Sequence, residues 1–256
     1  MSESIRAVER ALDVLLCFTS NTPELSMTQI SELVGINKST VHRLLATLER
    51  KRFVERDETT GVYRPGIRLL QMAYLTMDHN NLRRLAAPFL HSLCNQYREN
   101  VNLSVLEDVS VIYVDVVESP QRVKLAATVG QQLPAFCTAS GKAMLAFLPE
   151  DHIQRILEHG LPRYTRNTIL TKEAFLENLR IAQAQGFALS EQEFEEGINA
   201  IAAPVLNSDN RPVASISIAG PAYRLTRERM LEIGPDFVAQ IRKFAEEVEL
   251  VVSLDS

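Results

Sequence analysis

Two short helical patterns, each with its own N-terminal cap and separated by a glycine, constrain this chain more than any other feature. Ser26 and Gln29 form a capping-box pattern before a short amphipathic segment that ends at Gly35. Asn37 then caps a second segment. The apolar side chains of this segment recur at the i, i+3, i+4, i+7 spacing of a helix, and they are Val41, Leu44, Leu45 and Leu48. This order predicts a helix-turn-helix motif.

The second of these helices has a polar face that suits DNA. Arg43 can fork onto a guanine, whereas Ser39 and Thr40 can reach base edges or phosphates. Lys38 adds positive charge at the start of the helix. From residue 38 to residue 68, eight basic residues stand against four acidic ones, although the whole chain carries a net charge of −5. Because phosphate contact depends on local charge, the acidic total does not argue against DNA binding.

A predicted helix precedes this motif and a predicted hairpin follows it. The helix covers residues 5–18, and we expect its apolar stripe to face the core; the stripe consists of Ile5, Val8, Leu12, Leu15 and Leu16. Two short strands, residues 53–56 and 62–65, surround a turn that contains Gly61 and predict a wing. The acidic tip of this wing argues against deep insertion into a minor groove.

These elements together predict a winged helix-turn-helix that binds double-stranded DNA. The candidate contacts are Thr28, Gln29, Asn37, Lys38, Ser39, Thr40, His42, Arg43, Arg56 and Arg64. The structural alternative is a small helical bundle with a solvated polar face, which a basic patch alone would not exclude. The ordered succession of capped helix, glycine turn, basic helix and hairpin favours DNA binding.

An apolar helical pattern over residues 67–77 follows the wing and is broken at residues 78–81. Such a helix beside a small DNA-binding module serves either as core or as a dimer interface. We favour the interface, because a recognition helix needs a partner to span two half-sites.

The remainder of the chain alternates between helical and extended patterns. We predict helices over residues 82–97, 141–147, 152–157, 172–185 and 235–252, and strands over residues 101–106, 111–117, 122–129 and 213–219. This pattern predicts an α+β domain with a largely antiparallel sheet.

Two segments of small residues suggest a ligand pocket in this domain. Residues 136–143 lead into a helix, and their backbone N–H groups would suit a carboxylate. In residues 214–220, strand alternation puts the isoleucines on one face and Ser215, Ser217 and Ala219 on the other. A face of small and hydroxyl side chains leaves room for a ligand. The alternative is close packing of a helix on the sheet.

No catalytic, metal-binding or cofactor motif is complete in this sequence. A phosphate loop around Gly141 and Lys142 would need glycine and serine or threonine where Phe136 and Ala143 stand. The five histidines include no metal-ligand pair. The acidic run from Glu191 to Glu196 is interpreted as a solvated turn. We therefore expect no catalytic residue, no metal and no cofactor.

The cysteines and the hydropathy indicate in which compartment the protein is found. Cys17, Cys94 and Cys137 are far apart, form no CxxC pair and are expected to be buried free thiols. No apolar run is long enough to span a bilayer, and acidic residues interrupt the first apolar stretch where a signal peptide would need its core. We expect a cytoplasmic protein without membrane contact.

Five separated motifs resemble the IclR family of bacterial transcription regulators over nearly the full length of the chain. They are residues 36–45, 138–146, 186–188, 193–198 and 201–205. The resemblance implies a winged helix-turn-helix domain at 1–65, a linker helix at 66–80 and a GAF-like effector-binding domain at 81–256. It also implies a homodimer or a dimer of dimers on operator DNA, and control of a catabolic operon by a small organic or aromatic acid.

The same resemblance implies where the effector binds. The family's effector contacts fall on Ala139, Ser140, Ser190, Ala200, Ser217 and Ala219, and Thr138 and Gly141 complete the candidate set. Members that bind small oxo-acids are more polar at three of these positions, so we expect a larger or more apolar acid here. A repressor is expected over an activator. The alternatives are an enzyme or carrier with an ancillary DNA-binding head, and a DNA-binding scaffold without a ligand.

Overall fold

The computed structural model describes residues 5–19, 22–78 and 81–254, with the backbone alone described for residues 74–78, 81 and 249–254. The chain divides into two compact units, Met1–Asn80 and Asn81–Ser256. Each unit has its own hydrophobic core.

The first unit has the predicted order of a winged helix-turn-helix. Its described elements are α1 (Arg6–Leu16), α2 (Met27–Val34), α3 (Lys38–Arg50), β1 (Val54–Arg56), β2 (Tyr63–Pro65) and α4 (Ile67–Asp78). Strands β1 and β2 pair antiparallel, with Glu55 opposite Arg64. The wing is therefore a two-stranded hairpin that directly follows α3.

The structure confirms the helix caps that the sequence predicted for α2 and α3. The Ser26 hydroxyl accepts a hydrogen bond from the Gln29 backbone N–H at 3.3 Å, and the Gln29 side chain accepts one from the Ser26 backbone N–H at 2.9 Å. Gly35 ends α2 with a φ of 65°, in the left-handed region that glycine adopts without strain. The Asn37 side chain accepts a hydrogen bond from the Thr40 backbone N–H at 3.0 Å. These contacts fix where each helix begins and how α2 turns into α3.

The core of the first unit lies beneath α2, α3 and the wing. It consists of Val14, Leu25, Ile30, Ile36, Val41, Leu45, Val54 and Tyr63. Val41 and Leu45 are fully buried, whereas Leu44 and Leu48 are half-buried at the edge. The predicted inward stripe of α3 is therefore confirmed.

The predicted orientation of α1 is wrong. Four of the five stripe residues are between 52% and 76% exposed, and these are Ile5, Val8, Leu12 and Leu16. Leu15 is half-buried, and Val14, outside the predicted stripe, is the fully buried residue of α1. Periodicity shows that a helix has an apolar face, but it does not show what covers that face.

The second unit contains the remaining helices and strands. They are α5 (Asn81–Tyr97), β3 (Asn100–Glu107), β4 (Ser110–Val117), β5 (Gln132–Pro134), a 3₁₀ turn (Ala135–Cys137), α6 (Ala139–Leu145), α7 (Glu150–His159), α8 (Lys172–Gln185), β6 (Ala188–Glu191), β7 (Ile198–Leu206), β8 (Pro212–Pro221) and α9 (Arg227–Leu254). Residues 118–131, between β4 and β5, form no helix or strand and are called the connecting segment below.

One antiparallel six-stranded sheet organises this unit, in the order β5-β4-β3-β8-β7-β6. Helices α5 and α9 cover one face, where Leu90 and Phe237 pack on Leu103 and Ile216. Helices α6 and α8 belong to a second cluster, with Met144 and Phe175, on the other side. The predicted α+β domain with an antiparallel sheet is confirmed.

Two predicted elements differ from the structure. The strand expected over residues 122–129 is absent, and the carbonyls of Val123 and Leu125 accept hydrogen bonds from the side chains of Arg224 and Asn100 instead of from a strand. The last helix begins at Arg227, whereas the sequence placed its start at Pro235, a residue type favoured in a first helical turn. Strands β5, β6 and β7 were not predicted.

Within the described ranges, no helix is long and apolar enough to cross a membrane.

Candidate DNA-binding surface and effector cavity

The basic side chains on the polar face of α3 are exposed, and no described residue binds them. Lys38, His42 and Arg43 are exposed, and no hydrogen bond or ion pair engages their side chains within the described part of the chain. Val41 and Leu45 hold the opposite face of the helix in the core. The packing of Val41 and Leu45 in the core therefore holds α3 with Lys38, His42 and Arg43 on its exposed face.

Other candidate DNA contacts also have structural roles. The side-chain carbonyl oxygens of Gln29 and Asn37 are used as helix caps, and the Ser39 hydroxyl donates to Asn37 at 2.9 Å. Thr40 is half-buried, whereas Thr28 is exposed at the start of α2. Gln29 thus holds the first turn of α2, and Asn37 with Ser39 holds the first turn of α3, where backbone N–H groups lack helical acceptors.

The arginines of the wing already have partners within the hairpin. Arg64 forms an exposed ion pair with Glu55 at 3.3 Å, and the Arg56 guanidinium lies 5.8 Å from the centre of the Tyr63 ring. An exposed pair of this kind contributes only about 0–1 kcal/mol, so Glu55 holds Arg64 weakly. At the tip, hydrogen bonds from Thr60, and then from Thr59, lower the pKa of Asp57.

A cavity of about 340 Å³ lies in the second unit, between the sheet and the start of α6. Seven of the eight predicted effector contacts are in its wall, namely Thr138, Ala139, Ser140, Ser190, Ala200, Ser217 and Ala219. Gly141 is not among the described lining residues. A side chain there would lie 2.1 Å from the Ala135 carbonyl oxygen, so Gly141 serves the close approach of α6 to the 3₁₀ turn.

The sheet register explains why residues from three strands meet in this wall. Ala200 lies opposite Ser190 on one neighbouring strand and opposite Ala219 on the other. Ser217 is two residues before Ala219 and therefore points to the same face. Small side chains in adjacent rows leave the volume that larger ones would fill.

The sequence did not identify the other ten described lining residues. These residues are Tyr113, Lys124, Leu125, Ala126, Ala127, Gln131, Leu133, Phe194, Glu195 and Ile198. Several belong to the connecting segment, in which residues 122–129 were expected to be a strand. The wall thus combines hydroxyl groups and two charged side chains with leucine, isoleucine and phenylalanine.

The hydroxyl groups of the wall are fixed by neighbouring buried groups. Ser190 donates to the Cys137 carbonyl at 3.0 Å, and Ser140 lies 3.3 Å from the Ser104 hydroxyl. Ser217 accepts from the Asn102 side chain at 3.4 Å. Burial, and to a smaller degree Glu195, raises the pKa of Tyr113 to about 12, so its phenol remains a hydrogen-bond donor at neutral pH.

The interpretation of Glu191–Glu196 as a solvated turn is wrong for Glu193. Its side chain is 8% exposed and forms an ion pair with Lys142, which is fully buried. The second carboxylate oxygen of Glu193 is buried without a hydrogen-bond partner among the described residues. Burial raises the pKa of Glu193, although Lys142 opposes this shift. The pair joins α6 to the loop that carries the lining residues Phe194 and Glu195.

The three cysteines differ in access, and alkylation should separate them. Cys94 and Cys137 are buried as predicted, whereas Cys17 is partly exposed. Burial raises the pKa of Cys137 to about 12, and the thiolate is the reactive form. We expect iodoacetamide at pH 8 to modify Cys17 first, as measured by peptide mass spectrometry. Unfolded protein, in which all three should react, is the control; equal rates at Cys17 and Cys137 in native protein would contradict this burial pattern.

Within the described ranges, no group of three or more histidine, cysteine, aspartate or glutamate side chains is arranged to hold a metal ion.

Comparison with known proteins places both units in one family. The model of the IclR helix-turn-helix domain matches residues 7–58, and the model described as bacterial transcriptional regulator IclR C-terminal matches residues 74–250. The Glycerol operon regulatory protein of Streptomyces coelicolor is 32% identical over 248 residues, which are 97% of this chain and 96% of that protein. The Transcriptional repressor IclR of Escherichia coli is 29% identical over 249 residues, covering 96% and 89%.

A solved structure extends this similarity to three dimensions. It is an IclR homologue from Microbacterium hydrocarbonoxydans complexed with 4-hydroxybenzoate, with a TM-score of 0.81 and 25% identity, and the match covers 94% of this chain and 99% of that one. The C-terminal family model alone spans more than half of the chain. This protein therefore belongs to the IclR family, and it is a DNA-binding transcription regulator and not an enzyme.

Proposed function

We propose that this protein represses a catabolic operon and that a small organic acid in the cavity of the second unit changes its affinity for operator DNA. The observation that carries the proposal is the exposed face of α3, where Lys38, His42 and Arg43 have no partner among the described residues. Relatives whose names describe a repressor and an operon regulator support the repressor over the activator.

The candidate DNA contacts divide by position. Arg43, one turn into α3, is suited to a base edge in the major groove, whereas Lys38 and Ser39 at its first turn are suited to phosphates. Thr28 is suited to the backbone from the start of α2. Arg64, released from Glu55, supplies a further phosphate contact from the wing.

The cavity supports an acid larger than a two- or three-carbon oxo-acid. Its volume of about 340 Å³ is that of a small-molecule site, and its leucine, isoleucine and phenylalanine side chains suit an apolar body. The Ser217 hydroxyl accepts from Asn102 and keeps its own proton to donate to a carboxylate, and the 4-hydroxybenzoate complex of the homologue supports an aromatic acid.

The proposal includes a homodimer or a dimer of dimers. The exposed apolar stripe of α1, with Ile67 and Leu70 exposed on α4, is suited to a second copy of the chain. A dimer places two α3 helices on two half-sites. The acid then acts by binding one arrangement of the dimer more tightly than the other, since only such a difference shifts the equilibrium.

Arg43→Ala tests the assignment of the base reader. We expect a loss of about 1–3 kcal/mol in operator binding, together with relaxed specificity at one base position. Fluorescence anisotropy against operator variants, each changed at one base pair, measures both effects. Lys38→Ala is the matched control, because loss of a phosphate contact should weaken binding uniformly and reduce the salt dependence. A uniform loss for Arg43→Ala would contradict its role in base readout.

Crystals soaked with 4-hydroxybenzoate or benzoate test the effector site. Ligand density bounded by Ser190, Ala200 and Ser217 is the expected result. Density confined to any other place on the protein would overturn the assignment of the cavity.

A further inference from the structure

The charged side chains of the cavity wall are few and of opposite sign. Among the described residues that line the cavity, Lys124 is the single lysine or arginine and Glu195 the single carboxylate. Lys124 lies on the connecting segment, which has no secondary structure of its own. Lys124 is therefore the one described residue of this wall whose side chain can bring a positive charge to an anionic ligand, and its ammonium group is bonded to Glu118, which lies outside the wall.

The backbone on both sides of Lys124 is anchored by side chains from other elements. The Arg224 guanidinium donates to the Val123 carbonyl at 2.9 Å, and the Asn100 amide donates to the Leu125 carbonyl at 3.2 Å. Asn100, which is fully buried, also accepts from the Ser119 backbone N–H at 3.1 Å. These bonds fix the main-chain carbonyls immediately before and after Lys124.

Arg224 is itself held in place. Its guanidinium binds the Glu99 carboxylate through two nitrogens, at 2.5 and 2.7 Å, and Glu99 is 1% exposed. A bidentate pair with a buried carboxylate fixes the plane of the guanidinium. The anchor of Lys124 thus extends from Glu99, the residue before β3, through Arg224 to the connecting segment.

The side chain of Lys124, in contrast, is held weakly. Its ammonium group pairs with Glu118, and the two side chains are 38% and 56% exposed. An ion pair with this exposure contributes about 0–1 kcal/mol. The backbone of Lys124 is fixed, and its partner Glu118 is held weakly. The Lys124 ammonium group can therefore leave Glu118 and bind the carboxylate of a ligand.

We infer that Lys124 is the residue that selects an acid over a neutral analogue, by exchanging Glu118 for the effector carboxylate. The inference rests on the proposed function, since it specifies how the cavity recognises its acid. Glu118 then acts as an internal competitor that lowers the affinity, and Glu195, which also lines the cavity, repels a carboxylate.

Two substitutions with opposite expected effects test this exchange. Lys124→Met keeps the stem of the side chain but removes its charge, and it should weaken acid binding by about tenfold or more. Glu118→Gln removes the competing carboxylate, and it should tighten acid binding by about two- to fivefold. Lys172→Met, an exposed lysine at the start of α8 that does not line the cavity, is the control for the change in net charge.

Isothermal titration calorimetry on the full chain, with pyruvate, benzoate and 4-hydroxybenzoate and the amide of each, gives the readout. The inference predicts that both effects appear with the acid and are absent with its amide, because only the acid carries the charge. A merely structural role would make both variants weaker, for acid and amide alike, and would overturn it. Equal binding of acid and amide by the wild type would overturn the inference alone. Binding of no acid or amide in the set would overturn the proposed function as well.

Discussion

Lys142→Met should lower the free energy of unfolding by about 3–5 kcal/mol, because it leaves a buried carboxylate without its partner. Lys142 is fully buried and Glu193 is 8% exposed, so solvent cannot replace the lost ammonium group. Urea unfolding followed by circular dichroism measures the change, which should be confined to the unfolding transition of the second unit.

The decrease in the free energy of unfolding caused by Lys142→Met should depend on pH. Burial raises the pKa of Glu193 above its ordinary value of 4.5 already in the wild type, and Lys142 is the group that opposes the shift. The folded state therefore already binds the Glu193 proton more tightly than the unfolded state does, and removing Lys142 increases this difference. Stability of the variant should therefore be greatest below pH 4.5 for this group and fall as the pH rises through the raised pKa.

The double variant Lys142→Met with Glu193→Leu is the matched control. Replacing both partners by apolar side chains removes the buried charges together and is often neutral or stabilising, so most of the lost stability should return. A single variant within about 1 kcal/mol of the wild type would contradict the importance of this pair, since that is the range of an exposed ion pair.

Leu45→Ala should destabilise the first unit by about 2–5 kcal/mol and abolish DNA binding. Leu45 is fully buried on the face of α3 opposite the candidate base readers, so its loss removes the support on which Arg43 is presented. Hydrogen exchange measured by mass spectrometry should show loss of protection in residues 22–65 and unchanged protection in the sheet of the second unit.

Leu45→Met is the control for this substitution, because it retains the volume and usually costs less than about 1.5 kcal/mol. It should bind DNA nearly as the wild type does. If Leu45→Ala lost protection throughout both units, the description of two compact units with separate cores would be wrong.

The helix-turn-helix was predictable because its signals are local. The capping box at Ser26, the glycine after α2 and the Asn37 cap each act within four residues, and a short window of sequence contains all the interacting groups. The face of α1 was not predictable in the same way. Its apolar residues are exposed within one chain, and periodicity contains no information about a covering partner.

The sheet of the second unit was only partly visible in the sequence. Strand β6 has four residues, and β7 contains alanines and Pro204, which have low strand propensity. Pairing with β8 stabilises both strands, and that pairing is a long-range property. The strand expected over residues 122–129 failed for the same reason, since its alternating side chains had no strand to pair with.

The cavity, like the sheet, was only partly predictable from the sequence. The small residues of β8 and of the start of α6 predicted one part of its wall, and the resemblance to the family added Ser190 and Ala200. The Lys142–Glu193 pair joins residues 51 positions apart, and neither local pattern indicated the other partner. Lys124 gave no signal either, because its place in the wall depends on the anchors from Asn100 and Arg224.

The most direct test of the account is the affinity of the purified protein for its own upstream intergenic DNA, measured across a salt series with and without small organic acids. We predict saturable, sequence-specific binding that weakens with salt and that is changed by one acid of the set, with the change lost in a cavity variant such as Ala200→Leu. Equal binding to random DNA, or specific binding that no acid alters, would contradict a regulator controlled by an acid in this cavity.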